Sequence, residues 1–213
     1  MILKAGEKIF ARMGKSPYAF VMEGNHGKRE APGDRGPSLH RTFFEDDLRY
    51  FCRGLKACYT RYGSLEALFA SVGDVWEGIA LFRETVAQAN HGAAKLSVYN
   101  KHIANPASAS ACKRLNLALR WLVRKEGPVD MGLWKSVSPS SLFIPLDVHV
   151  GRSARQLGLL EKGRAANDKK AVISLTEKLR EFCPEDPVKY DLALFSYGID
   201  NPVPREKFSQ KIS

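Results

Sequence analysis

Cysteine is scarce in this chain: its 213 residues hold four, Cys52, Cys58, Cys112 and Cys183, scattered without a C-x-x-C pair or nearby histidines. That spacing argues against zinc and iron-sulfur ligation and against a secreted disulfide framework, so we expect reduced thiols, no metal and no cofactor. Long apolar runs are missing too. Lys4, Glu7 and Lys8 interrupt the opening segment where a signal peptide needs a continuous apolar stretch, and nothing later approaches the ~20 apolar residues of a membrane span. We therefore expect a soluble, cytoplasmic protein with no membrane role. No alternating β-branched stretch is long enough to demand a sheet, and no internal repeat is found. Hydrophobic residues at 44% and charged residues at 26% are ordinary globular usage, which excludes wholesale disorder and fibrous structure.

What the sequence has in excess is positive charge. Lysine and arginine number 33 against 23 aspartates and glutamates, a formal net charge of +10 at pH 7. Phosphate contacts dominate nucleic-acid affinity and a positive field speeds encounter, so DNA is the partner this charge favours; a merely basic surface is the plainer alternative.

Helical periodicity recurs from end to end and predicts an all-α fold of about eight to ten helices. Ile2 to Met13 forms a first helix ended by Gly14, and Ser16-Pro17 carries the pattern of a cap with proline in the first turn. Residues 24–39, with four glycines and two prolines among charges, read as an exposed loop. Glu45 to Tyr62 is helical, Ser64 and Asp74 are N-caps for the next two helices, and helix is expected to continue to about Ile103. After a small-residue turn at Asn105 to Ser110, Lys113 to Lys125 forms a helix with an apolar stripe of Leu115, Ala118, Leu119 and Leu122. Its remaining surface is basic, through Lys113, Arg114, Arg120, Arg124 and Lys125. Gly127 to Pro145 is a connector, Asp147 caps a helix through Leu157, and further helices run from Asp168 to Phe182 and Pro187 to Tyr197. The tail after Asn201 reads as polar and frayed. Trp76, Trp121 and Trp134 sit among apolar residues and read as core.

Two segments stand out together: SASACKRLNLALRWLVRK, holding Lys113, and IPLDVHVGRSARQLGLL, holding Asp147. Lysine followed by a helix opening with Asp147, His149 and Arg152 and ending in Leu157-Gly158-Leu159 resembles the helix-hairpin-helix DNA glycosylase superfamily. The long connector between Lys113 and Asp147 looks more like the archaeal 8-oxoguanine glycosylase branch than like endonuclease III. HRTF at His40 to Phe43 and DPVKYDLAL at Asp186 to Leu194 extend the likeness to nearly the whole chain, toward a bacterial family without an assigned activity.

The resemblance implies a two-lobed helical fold spanning residues 1–213, with residues 105–157 forming the hairpin-like and catalytic region. Relatives carry more residues ahead of the point where Met1 stands, so part of one lobe is expected to be missing. Asn105 to Ser110 lacks the glycines of the usual L-P-G-x-G hairpin, which implies an altered grip on phosphate. The implied activity is a DNA base-excision glycosylase with lyase action on an oxidised purine such as 8-oxoguanine in damaged double-stranded DNA, placing the protein at the nucleoid when bound. Lys113 is the implied nucleophile, and Asp147 stabilises positive charge on the sugar. His149, Arg152, Arg155, Arg120 and Arg124 are the candidate DNA contacts. Each has a plainer reading: a solvated lysine, an N-cap aspartate, a structural histidine and an exposed basic face. The rival function is a non-enzymatic helical DNA-binding module that keeps the glycosylase fold.

Overall fold

A computed structural model describes residues 2–26, 35–91, 99–127, 129–161 and 166–201. The chain divides into two compact units, Met1–Asn105 and Pro106–Ser213. Among the described residues it is mostly helical, its strand content confined to one two-stranded antiparallel ribbon. No described helix is long and apolar enough to cross a membrane.

The first unit runs α1 (Ile2–Met13), α2 (Pro17–Glu23), β1 (Ser38–His40), β2 (Phe43–Phe44), α3 (Glu45–Tyr62), α4 (Leu65–Ala70) and α5 (Val75–Ala89). Its helix starts are fixed by local chemistry. Ser16, Ser64 and Asp74 each accept a backbone N–H from three residues on, which satisfies a donor that the helix leaves without a partner. Gly14, at φ 70°, ends α1 in a conformation that favours glycine. At the start of α3, buried Asp47 accepts from Phe44 N at 2.8 Å, Arg35 at 2.9 Å and Asn100 at 2.8 Å, drawing three chain segments together. Val21, Leu39, Leu48 and Cys52 form a core cluster that Ile9, Met13 and Phe20 pack against.

Two expectations change here. Helix does not continue to Ile103: it ends at Ala89, because the Asn90 amide turns back to donate to Val86 O at 2.7 Å and Tyr50 O at 3.2 Å. Residues 99–104 are turns and coil, and 92–98 lie outside the described residues. Residues 24–39 are not uniformly exposed, since His26 and Leu39 are buried; 27–34 lie outside the described residues.

The second unit holds α6 (Lys113–Val123), a 3-10 turn at Pro139–Ser141, α7 (Val148–Gln156), α8 (Lys169–Phe182), a 3-10 turn at Pro187–Tyr190 and α9 (Asp191–Asp200). Where one helix from Pro187 was expected, the 3-10 turn precedes α9. The stretch after Asn201 that reads as a polar tail lies outside the described residues. Helices α7 and α9 approach closely at Gly198, where an added Cβ would stand 2.5 Å from Ser153 Oγ. That hydroxyl donates to His149 O at 2.9 Å and Leu194 O at 2.6 Å, so the contact is both tight and polar. Trp76 and Trp134 are buried as expected, whereas Trp121 is 38% exposed because α6 turns a different face inward.

Gly54 sets the spacing of α3 and α5, since a Cβ there would lie 2.4 Å from Val86 Cγ1. Gly54→Ala is expected to lower stability by roughly 1–2 kcal/mol, overpacking outweighing the gain in helix propensity. Urea unfolding checks this, and adding Val86→Ala should recover part of the loss by opening the space.

Candidate functional site

The stretch leading into α6 replaces hairpin glycines with hydroxyl chemistry. Ser108 Oγ accepts from Ser110 N at 3.3 Å and Ser110 Oγ accepts from Cys112 N at 3.2 Å, so these amides are occupied within the chain. Buried Cys112 takes the left-handed conformation, φ 46°, that glycine adopts more readily. Its carbonyl starts α6 by accepting from Leu115 N and Asn116 N, and Lys113 follows as the first residue of the helix, exposed, with exposed Arg114 beside it.

Asp147 is the N-cap of α7. Its Oδ1 accepts from Val150 N at 2.9 Å, and its half-buried side chain lies where the helix amides favour negative charge. Asp168 caps α8 in the same way, accepting from Ala171 N at 3.0 Å. Hydrogen bonds join these helix starts. Lys169 N donates to Ala109 O at 2.9 Å and Lys169 Nζ to Pro106 O at 2.9 Å, which ties α8 to the segment before α6. Asn167 Nδ2 donates to Asp147 O at 2.9 Å, which ties it to α7. The starts of α6, α7 and α8 thus form one linked group, although no hydrogen bond or ion pair among the described residues joins Lys113 directly to Asp147.

Arg120 and Arg124 belong elsewhere. Arg120 is 1% exposed, with Nη2 donating to Asp130 at 3.1 Å and Nη1 3.4 Å from Asp191. Arg124 is 4% exposed; its Nε donates to both Asp186 oxygens at 2.8 and 2.9 Å, and Nη1 donates to Asp130. The reading of both as DNA contacts is therefore corrected: a guanidinium enclosed by protein and paired with carboxylates is not presented to a phosphate. Two guanidinium groups face three carboxylates in this set. Burial pushes the Asp191 carboxyl up to about 6, with Asp147 and Asp130 adding to the rise and Arg120 opposing it.

Arg155 is also engaged internally, donating to Gly151 O at 2.7 Å, Asn167 Oδ1 at 2.9 Å and Ala166 O at 2.8 Å. It braces the segment before α8 against α7. His149 is half-buried, its ring edge-on to Phe195 at 5.4 Å, and its buried Nδ1 makes no hydrogen bond among the described residues. Arg152 is half-buried on the same helix and makes no hydrogen bond or ion pair among the described residues. Asn167 and Lys169, which link the helix starts, were not singled out from the sequence. The Asp168 cap marks where α8 begins, but the partners of its neighbours are 20 and 63 residues distant. Among the described residues no three His, Cys, Asp or Glu side chains gather as metal ligands would.

These features define a mostly helical protein whose linked helix starts include a lysine and a carboxylate, with a buried arginine–aspartate network in the same unit. A family model described as a protein of unknown function, DUF2400, matches residues 1–200, and the chain belongs to that family. Neither a curated protein nor a solved structure matches it.

The Asp191 shift makes stability depend on pH. The group titrates near 3.8 when exposed and near 6 when folded, so between those values the folded chain binds the extra proton. Its contribution is greatest below about pH 4 and is lost as pH rises through 6, each pH unit of displacement corresponding to ~1.4 kcal/mol. Asp191→Asn, which mimics the protonated form, is expected to flatten this part of the profile. Urea midpoints from pH 4 to 7 check the change in slope.

Proposed function

We propose that the chain is a base-excision DNA glycosylase and lyase of the helix-hairpin-helix superfamily, acting on an oxidised purine such as 8-oxoguanine in double-stranded DNA. The observation that carries this reading is the linkage of helix starts: Lys113 opens α6, Asp147 caps α7, and the start of α8 is bonded to both neighbourhoods. A base inside a duplex must be flipped out before its sugar can be attacked, and anions are favoured at helix N-termini, where backbone amides point outward.

In this mechanism Lys113 Nζ, as the free amine, attacks C1′ of the flipped nucleotide and the C1′–N bond breaks, its electron pair leaving with the base. Lys113 is exposed, so exclusion of water at the amine has to come from the bound DNA. Asp147 stays beside the sugar and stabilises the positive charge that builds as the base departs. Opening of the sugar ring then gives a Schiff base, loss of a C2′ proton expels the 3′ phosphate, and water releases the lysine. Arg152, His149 and Arg114 are the side chains suited to flanking phosphates.

A non-enzymatic DNA-binding module is the second reading, and two observations favour it. Lys113 is exposed, as a simple solvated cation would be, and Ser108 and Ser110 occupy amides that a hairpin would offer to phosphate.

Borohydride reduction separates the two readings. Incubation with a duplex carrying 8-oxoguanine or an abasic site should leave a covalent adduct, which Lys113→Gln abolishes while duplex affinity changes little. Asp147→Asn keeps the cap and should slow base release by about a hundredfold or more with little loss of stability. No adduct and no base release, with DNA binding preserved, would establish the module instead.

Under either reading, duplex affinity should fall steeply with salt, and Arg152→Ala should reduce the slope of log affinity against log salt by about one. Titrations at several salt concentrations check this. Failure to bind a duplex even at low salt would reject both readings.

A further inference from the structure

In the first unit α3, α4 and α5 carry acids in their first turns, as the helix dipole favours, through Glu45, Asp46, Asp47, Glu66 and Glu77. Helix α8 reverses this: its first turn holds no acid and opens with Lys169 and Lys170. Lys170 is exposed, whereas Lys169 is half-buried and turns its ammonium to Pro106 O at 2.9 Å, 63 residues away in sequence. The backbone N–H of Lys169 donates to Ala109 O at 2.9 Å, so one residue grips two carbonyls of the segment that leads into Lys113. A segment held at two points is fixed in direction as well as in place. Two residues earlier, Asn167 is seated on α7. Its Nδ2 donates to Asp147 O and its Oδ1 accepts from Arg155 Nη1, each at 2.9 Å. Gly151 leaves the space for it, since a Cβ there would stand 2.3 Å from that oxygen. Residues 167–169 thus span from the α7 cap to the entry of α6 and set the spacing between them.

We propose that Lys169 is a positioning residue, holding Lys113 at its working distance from Asp147. This role rests on the reaction proposed above, in which Lys113 attacks C1′ and Asp147 stabilises the sugar. Attack needs the amine within roughly 3–3.5 Å of the carbon, and a misplacement of about 1 Å costs on the order of a hundredfold in rate. The side chain of Lys113 is exposed, so its placement follows from the backbone beneath it, which Lys169 clamps. Lys169 touches neither sugar nor base in this role and acts through α6.

The test uses the full chain and measures single-turnover base release from a saturating duplex carrying 8-oxoguanine, with duplex affinity and urea midpoint alongside. Lys169→Met keeps the stem and the backbone bond but removes the ammonium donor. It should slow base release at least about tenfold while duplex affinity changes by less than about threefold. Lys169→Arg restores a donor and should recover most of the rate. Asn167→Ala should also slow release, and it keeps the test decisive if Lys169→Met folds poorly. Combined, the two substitutions should cost less than the product of their separate effects, because both loosen one spacing. A grip on phosphate would instead lower affinity and leave the saturated rate intact, and a bond serving only stability would lower the urea midpoint alone. Either result overturns the proposal, as would failure of Lys169→Arg to rescue or fully independent effects of the two substitutions. If the unaltered chain releases no base, the reaction falls and this role with it; if it releases base and Lys169→Met does so equally fast, only this role falls.

Discussion

The second unit depends on burying Arg120. An enclosed guanidinium has to be matched by acceptors, and here they come from well-separated parts of the chain: Asp130 from the connector after α6, and Asp191 from the start of α9. Arg124 shares Asp130 and adds Asp186, just before the 3-10 turn. Losing one partner leaves a buried charge uncompensated at a cost of about 3–5 kcal/mol, so connector, turn and α9 are fixed on α6 together. Helix α9 then holds α7 through the Ser153 bonds and the close approach at Gly198, and α7 carries Asp147. The candidate carboxylate is thus positioned by a network that does not touch its own side-chain bond.

Local features were legible in the sequence. The caps at Ser16, Ser64, Asp74 and Asp147 form where their residue types and spacing indicate, because a cap needs only its own helix. The inward face of α6 was not legible. The apolar stripe Leu115, Ala118, Leu119 and Leu122 suggests one face, whereas the buried residues are Asn116, Leu119, Arg120 and Val123. The register is the same, i, i+3, i+4, i+7, displaced by one residue. Leucine rows normally decide which side is inward, but here the carboxylates drew the face round and left Trp121 outside. Their sequence separations from Arg120 and Arg124, 6 to 71 residues, explain why a local reading missed them. The i, i+4 ladder of Asn116, Arg120 and Arg124 was the available signal, and three aspartates downstream supplied its complement.

At the candidate site the sequence identified the lysine and the aspartate but not what connects them. The loss of hairpin glycine was visible. Its structural replacement was not: serine hydroxyls occupy two amides, and Cys112 takes up the left-handed conformation. Cysteine in that conformation is less favoured than glycine, and the surrounding bonds hold it there. Asn116 Nδ2 donates to Ala111 O at 3.0 Å and Lys169 N to Ala109 O at 2.9 Å, bracing the loop from both sides. A loop braced in this way positions Lys113 by its contacts with neighbouring elements, where a glycine hairpin would rely on its own turn. This shifts the requirement for precise placement from residues 105–112 to α8.

Removing Arg120 and Arg124 from the surface does not weaken the electrostatic argument for an anionic partner. Of the network, Arg120, Arg124, Asp130 and Asp191 are buried, two charges of each sign, so enclosing them leaves the net +10 with the rest of the chain. Only the location of the positive field changes. It does not follow the length of α6, whose middle is enclosed, but is carried at its exposed start by Lys113 and Arg114 and, in the first unit, by Lys56 and Arg61. Exposed charges act only weakly beyond about one Debye length at physiological salt, so each attracts chiefly the anions nearest to it. Binding to a long polyanion therefore depends on how many such local groups it can engage at once, more than on the net charge that first suggested it.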